Sequence, residues 1–223
     1  NILISNCVVS GFKCGTFRDG TRVPEKVNWV CGRIKLGTES NGGYRDIAIN
    51  NGTCIWSSGL AFEEVDQGLM DNIVVSNIVM NHVHHYPIYI TTGCRNRGPR
   101  EVTEPSRGQN IMISNVQALD CDSLCGIIIT GMKDAPLKNI SLSNCTFMYS
   151  SGLAFEEVDQ GIMENIVVNN ITMNHVHHYP IYITTGCRNR GPKERTTVST
   201  GRDIMISNVV ANDIDSLAGI IVT

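Results

Sequence analysis

An all-β fold, a right-handed, single-stranded parallel β-helix of about seven coils, is what this sequence predicts. Three observations predict it: a long internal repeat, a shorter repeat inside it, and a strand-and-turn vocabulary in place of a helical one. Segment 57–130 matches 150–223 at a constant offset of 93, without a gap and with 58 of 74 paired residues identical. Inside it the pattern Asn/Asp-Ile-x-(Ile/Val/Leu)-x-Asn recurs, starting at Asn1, Asp46, Asn72, Asn110, Asn139, Asn165 and Asp203. Three successive steps of 26, 38 and 29 residues span the 93-residue period, so the long repeat is three short units. The whole of 1–223 reads as one domain.

Each short unit carries a second apolar strand, at 32–37, 59–63, 87–91 and 126–130, the last three recurring 93 residues later. Strands of four to six residues separated by Gly and Asn cannot close a core alone. Stacked coil on coil, each pairs in parallel with its equivalent above and below, and inward Ile, Val and Leu form continuous ladders. Asn at the turns tolerates left-handed geometry and can hydrogen-bond to its counterpart in the next coil. A 26-residue unit suits such a coil, and the units of 29, 38 and 45 carry inserted loops. At about 4.8 Å per coil the rod is roughly 34 Å long. A leucine-rich repeat would need a dense Leu spacing that is absent, and helical repeats are excluded by Asn, Gly and β-branched residues at helix-hostile positions.

Composition agrees. Of 223 residues 42% are apolar but only 6% aromatic, which suits an aliphatic ladder core. A net charge of −3 with 17% charged residues argues against a nucleic-acid partner. No apolar run approaches the roughly 18 residues of a membrane span. The chain opens at Asn1 without initiator Met or signal-peptide pattern, as a mature product or a fragment would.

Nine cysteines occur, with no Cys-x-x-Cys pair, so zinc is not expected and most should be buried thiols. Cys14–Cys31 is a candidate disulfide. The sequons at Asn51, Asn139, Asn144 and Asn170 fall at turn positions and predict asparagine ladders rather than glycans. The triplets His82/His84/His85 and His175/His177/His178 lack an adjacent carboxylate and read as turn-region and surface histidines rather than metal ligands. No metal or cofactor is expected.

The run Cys31-Gly32-Arg33-Ile34-Lys35-Leu36-Gly37-Thr38-Glu39-Ser40-Asn41-Gly42-Gly43 resembles a stretch of glycoside hydrolase family 28, the polygalacturonases and their bacterial relatives. As in that family, an Asn/Asp-Ile-x-Ile-x-Asn strand and a Ser-Gly-Leu-Ala-Phe strand follow. Pro87-Ile88-Tyr89-Ile90 and Gly93-Cys94-Arg95-Asn96-Arg97-Gly98-Pro99 are similar to bacterial members. The resemblance implies a pectin-lyase-like solenoid with a substrate cleft along one sheet, inverting hydrolysis of a pectic polysaccharide, and an extracellular or periplasmic location. The catalytic signature departs from the family. No Asp-Asp pair occurs, Gly32 stands where the Gly-His-Gly histidine should be, and Ala61 and Glu63 stand where Arg and Lys should be. Arg33-Ile34-Lys35 reads like the family's Arg-Ile-Lys but lies one coil early. In the family the Asp-Asp pair would precede the position of Asn1. The duplicated block is a further departure and looks like homologous coils joined by recent duplication or by engineering.

Period-two alternation points Ile34, Leu36, Leu60 and Phe62 inward, and Arg33, Lys35, Ala61 and Glu63 outward. Lys35 and Glu63 then neighbour each other on adjacent coils, as cleft groups or as a cross-strand salt bridge. Glu63, Glu64 and Asp66, repeated as Glu156, Glu157 and Asp159, are the candidate acids. Glu63 and Glu156, three coils apart at about 14 Å, are too far apart for an inverting pair, which leaves Glu63 with Asp66, or Glu64 with another residue. Arg33, Lys35, Tyr89, Arg95, Arg97, Arg188 and Arg190 are the candidate substrate-binding residues, since Arg forks suit sugar carboxylates. Loops 8–31 and 94–109 should wall the cleft. Three readings follow: a solenoid scaffold of polygalacturonase-type coils without a complete catalytic set, a pectic-polysaccharide hydrolase, or a non-catalytic carbohydrate-binding solenoid. Open coil edges at both ends predict self-association.

Overall fold

The structure, a computed structural model, describes residues 1–13, 15–16, 19–21, 33–38, 40–94, 104–122, 126–131, 134–150, 152–158, 161–186 and 198–223, with the backbone alone at 156–158. The described residues form a parallel β-helix. One sheet stacks β1 (Ile2–Ser5), β4 (Tyr44–Ser57), β6 (Leu69–Val83), β8 (Arg107–Cys121), β10 (Leu137–Met148), β12 (Ile162–Val176) and β14 (Thr200–Ile214), with β2 (Val8–Ser10) also on β4. The other stacks β3 (Ile34–Leu36), β5 (Leu60–Val65), β7 (Ile88–Gly93), β9 (Ile127–Thr130), β11 (Leu153–Val158), β13 (Ile181–Gly186) and β15 (Ile220–Val222). Seven strands along each path make seven coils.

The long strands are not straight. From the second coil to the seventh, residues in the left-handed region recur five positions apart: Asn72, Asn77 and His82 in β6, for example, at φ 52°, 56° and 55°. Such residues bend the strand into successive faces without breaking its parallel pairing. Asn and Asp reach this conformation at lower cost than other side-chain-bearing residues. They also bind one another along the rod. Asn77 Nδ2 donates to Asn51 Oδ1 (3.2 Å), Asn51 to Asn6 (3.3 Å), and Asn115 to Asn77 (3.2 Å). On the neighbouring corner Asn165 donates to Asn139 and Asn139 to Asn110, both at 2.9 Å. Asn170 donates to Asn144 at 2.7 Å. The sequon asparagines therefore stand in ladders.

Inside, equivalent positions repeat the same chemistry. Ile2, Ile47, Ile73, Ile111, Ile140, Ile166 and Ile204 stand in register through the whole stack. Leu60, Ile88, Ile127, Leu153 and Ile181 form the facing ladder. Coil neighbours bury these side chains almost completely through the middle of the rod. Each such side chain contributes roughly 1.5–3 kcal/mol. Cys54 and Cys145 are buried thiols, and burial pushes both up to about 11. Cys14 and Cys31 lie outside the described residues.

Two loop boundaries differ from expectation. Residues 8–10 are strand β2, because Val8, Val9 and Ser10 pair with Thr53, Cys54 and Ile55. Residues 107–109 open β8, held to β6 and β10.

Because Asn77 both occupies a left-handed corner and links two coils, Asn77→Ala should cost about 2 kcal/mol, from backbone strain together with lost hydrogen bonds. Asn77→Gly should recover the backbone share only. Denaturant midpoints of the three proteins check this order.

Candidate functional site

The face carrying the candidate residues is the sheet of β3, β5 and β7. Register places Lys35, Ala61 and Tyr89 side by side on its outer surface, and Glu63 beside Thr91. Lys35 Nζ lies 3.4 Å from Glu63 Oε2, and Arg33 Nη1 lies 3.8 Å from Glu63 Oε1. Lys35 also donates to Thr38 Oγ1 at 3.0 Å. Glu63 is thus held between two cations on the preceding coil and is only 7% exposed. Ala61 is buried as well, so the outward position is not an open one.

Glu64 follows the opposite parity. With Leu60 and Phe62 it faces inward, and it is fully buried. Its carboxylate rests against Gly68, where a methyl group would come within 2.4 Å of Glu64 Cδ and 2.6 Å of the Ser40 carbonyl oxygen. Glycine at 68 is what leaves room for the acid. Burial pushes Glu64 up to about 7, the charge of Asp66 adds to the rise, and the backbone amides of Val65 and Ser40 oppose it. Tyr44, donating to the Leu36 carbonyl at 3.5 Å, is raised by burial and by the charges of Glu64 and Glu63. Ser106 Oγ ties down the strand by donating to the Glu64 carbonyl and accepting from the Gly93 amide (2.9 Å). Asp66 is buried at the turn that follows, with φ 90°.

Glu63 and Glu64 therefore stand on opposite sides of one strand and cannot face a common substrate. The side chains of Glu156 and Glu157, together with Asp159, Arg95, Arg97, Arg188 and Arg190, lie outside the described residues. Tyr89 is half-buried, its ring 5.8 Å from that of Tyr86, and Tyr182 and Tyr179 repeat the pair at 6.0 Å.

Sequence reasoning missed a second feature, at the third corner of the coil. There the left-handed residues are Trp56, His82 and Asp120, and in the repeat Tyr149, His175 and Asp213. Trp56 stacks on His82 at 4.0 Å and 9°, and His82 Nδ1 meets Asp120 Oδ2. Tyr149 stacks on His175 at 4.5 Å and 9°, and His175 Nδ1 lies 3.3 Å from Asp213 Oδ2. Lys13 Nζ sits 5.9 Å from the Trp56 ring centre, over a cavity of about 450 Å³ that Asp19, Thr21, His82 and Asp120 help to line. The hydroxyl of Thr21 holds Asp19 down at about 2. The described part of the first insertion thus lies over this corner. His84, expected at the surface, is 3% exposed because it packs beside Trp56, with ring centres 5.5 Å apart. Its repeat His177 is exposed. The one signal for this corner was the five-residue interval beyond each ladder asparagine. Among the described residues no group of three His, Cys, Asp or Glu is placed to hold a metal ion.

Compared with known proteins, the chain matches no family model, no curated protein and no solved structure.

The Glu64 environment sets a pH dependence. Below about 4.5 the carboxyl is protonated folded and unfolded. Between about 4.5 and about 7 the unfolded chain loses the proton while the folded chain keeps it, so stability falls as pH rises through that window. Glu64→Gln should flatten this part of the profile, as read from urea midpoints between pH 4 and pH 8, a range that brackets the window on both sides.

Proposed function

We propose that the chain is a non-catalytic β-solenoid scaffold, built of coils like those of the polygalacturonases, whose role rests on the repeated surface it presents. One observation carries this reading: the two best-placed acids are withdrawn from reaction. Glu63 is nearly buried and paired with Arg33 and Lys35, and Glu64 is turned into the core. Inverting hydrolysis needs two carboxyl groups about 6.5–9.5 Å apart across an open site, with room for a water. Adjacent residues on a strand point to opposite faces and cannot supply that arrangement. A pectic polysaccharide remains the ligand class that the resemblance implies for the outer face.

The test is release of reducing ends from polygalacturonate and from rhamnogalacturonan. The expected result is no release above buffer from either polymer. Turnover that disappears in Glu63→Gln would overturn the proposal and restore the hydrolase.

A further inference from the structure

The corner of Trp56, His82 and Asp120 holds chemistry that the scaffold reading leaves unused. Three successive coils supply these residues, five positions beyond the ladder residues Asn51, Asn77 and Asn115. Together with Lys13, Thr16, Asp19 and Thr21 from the segment after β2, they line a cavity of about 450 Å³. That volume lies in the range of small-ligand sites.

The cavity has one large aromatic wall and is otherwise polar. Trp56 is half-buried and held at φ 50°, a conformation costly for a bulky side chain. Its ring is backed by His82, stacked at 4.0 Å and 9°. His82 is set in turn by Asp120, whose Oδ2 meets its Nδ1. Lys13 reaches over the Trp56 ring with its ammonium 5.9 Å from the centre, which leaves more room than the His82 contact does. The covering turn is tied to itself. The Thr16 amide donates to Thr21 Oγ1 at 3.2 Å, and the Thr21 amide donates to Asp19 Oδ1 at 3.0 Å. A methyl group on Gly15, at φ 71°, would come within 2.1 Å of the Thr21 carbonyl oxygen, so the turn closes on glycine. The Thr21 hydroxyl and amide keep Asp19 ionised at neutral pH.

These groups select by charge. An anion meets two carboxylates, Asp19 and Asp120, against one ammonium. A cation meets the Lys13 ammonium at the ring. An apolar ligand strips water from ionised groups and offers them no hydrogen bond. What fits is an uncharged ligand with one apolar face and several hydroxyls. Carboxylate oxygens accept from hydroxyls, and an ammonium donates to the hydroxyl oxygens between them. The electron-rich face of an indole attracts the C–H groups that a pyranose ring presents on one side.

We propose that this corner is a binding site for a neutral sugar ring, stacked on Trp56 and hydrogen-bonded by Asp19, Asp120 and Lys13. It is separate from the sheet face of Lys35, Glu63 and Tyr89, and it discriminates against the sugar acids that the resemblance implies for that face. It is independent of whether the solenoid is catalytic.

The chain has two tryptophans, Trp29 and Trp56, so of its indole N–H signals in a nitrogen–proton correlation spectrum the one lost in Trp56→Phe reports this site. Galactose, glucose and mannose are titrated up to about 100 mM, each beside its sugar acid and its amino sugar. The expected result is a saturable shift of the Trp56 signal with at least one neutral sugar, and binding about fivefold or more weaker for its acid and its amine. Asp19 lies on an exposed turn, so Asp19→Asn spares the core. It should weaken the neutral sugar about two- to threefold and bring the acid to within about twofold of it. No saturable shift with any of the three neutral sugars overturns the proposal. An acid or an amine that binds as tightly as the neutral sugar, or discrimination that Asp19→Asn leaves unchanged, overturns it too.

Discussion

Parallel coils stack only while every coil turns its corners at the same height, and residues held in the left-handed region enforce that here. They recur five positions apart within a coil and in register from coil to coil. A corner of this kind changes strand direction while leaving neighbouring strands paired. At two of the corners the cost is kept low by Asn and Asp, and ladder hydrogen bonds return part of it. Inward isoleucines can then align over the whole rod, because each coil begins and ends its faces at the same residues.

The third corner follows the same geometry with different chemistry. Trp56, His82, Tyr149 and His175 adopt a conformation that is unfavourable for large side chains. Stacking between planar rings on successive coils offsets this, and a carboxylate ends each stack. The cavity beside Trp56 exists because the insertion after β2 crosses this corner. His84, buried beside Trp56, and its exposed repeat His177 share the sequence His-Val-His-His-Tyr-Pro yet differ in burial.

The first two corners were legible in the sequence because asparagine marks them and the interval between marks is constant. The third was not, since the residue type there changes from one coil to the next, from Trp56 to His82 to Asp120 and then from Tyr149 to His175 to Asp213. The fate of Glu64 was legible in principle, because parity with Leu60 and Phe62 places it inward. A carboxylate is expected at a surface, and what admits it to the core is the missing side chain of Gly68, three-dimensional information that periodicity does not carry. The Lys35–Glu63 neighbourhood followed directly from parity and coil register.

Stacking, rather than local sequence preference, holds each coil in place, and the chain contains its own control. Segments 111–116 and 204–209 share the sequence Ile-Met-Ile-Ser-Asn-Val, the first between two coils and the second at the open end. Amide hydrogen exchange on the dilute monomer compares them at nearly equal intrinsic rates. The interior segment should exchange at least about a hundredfold more slowly, since its opening requires separation from coils on both sides. Equal protection of the two segments would contradict the account.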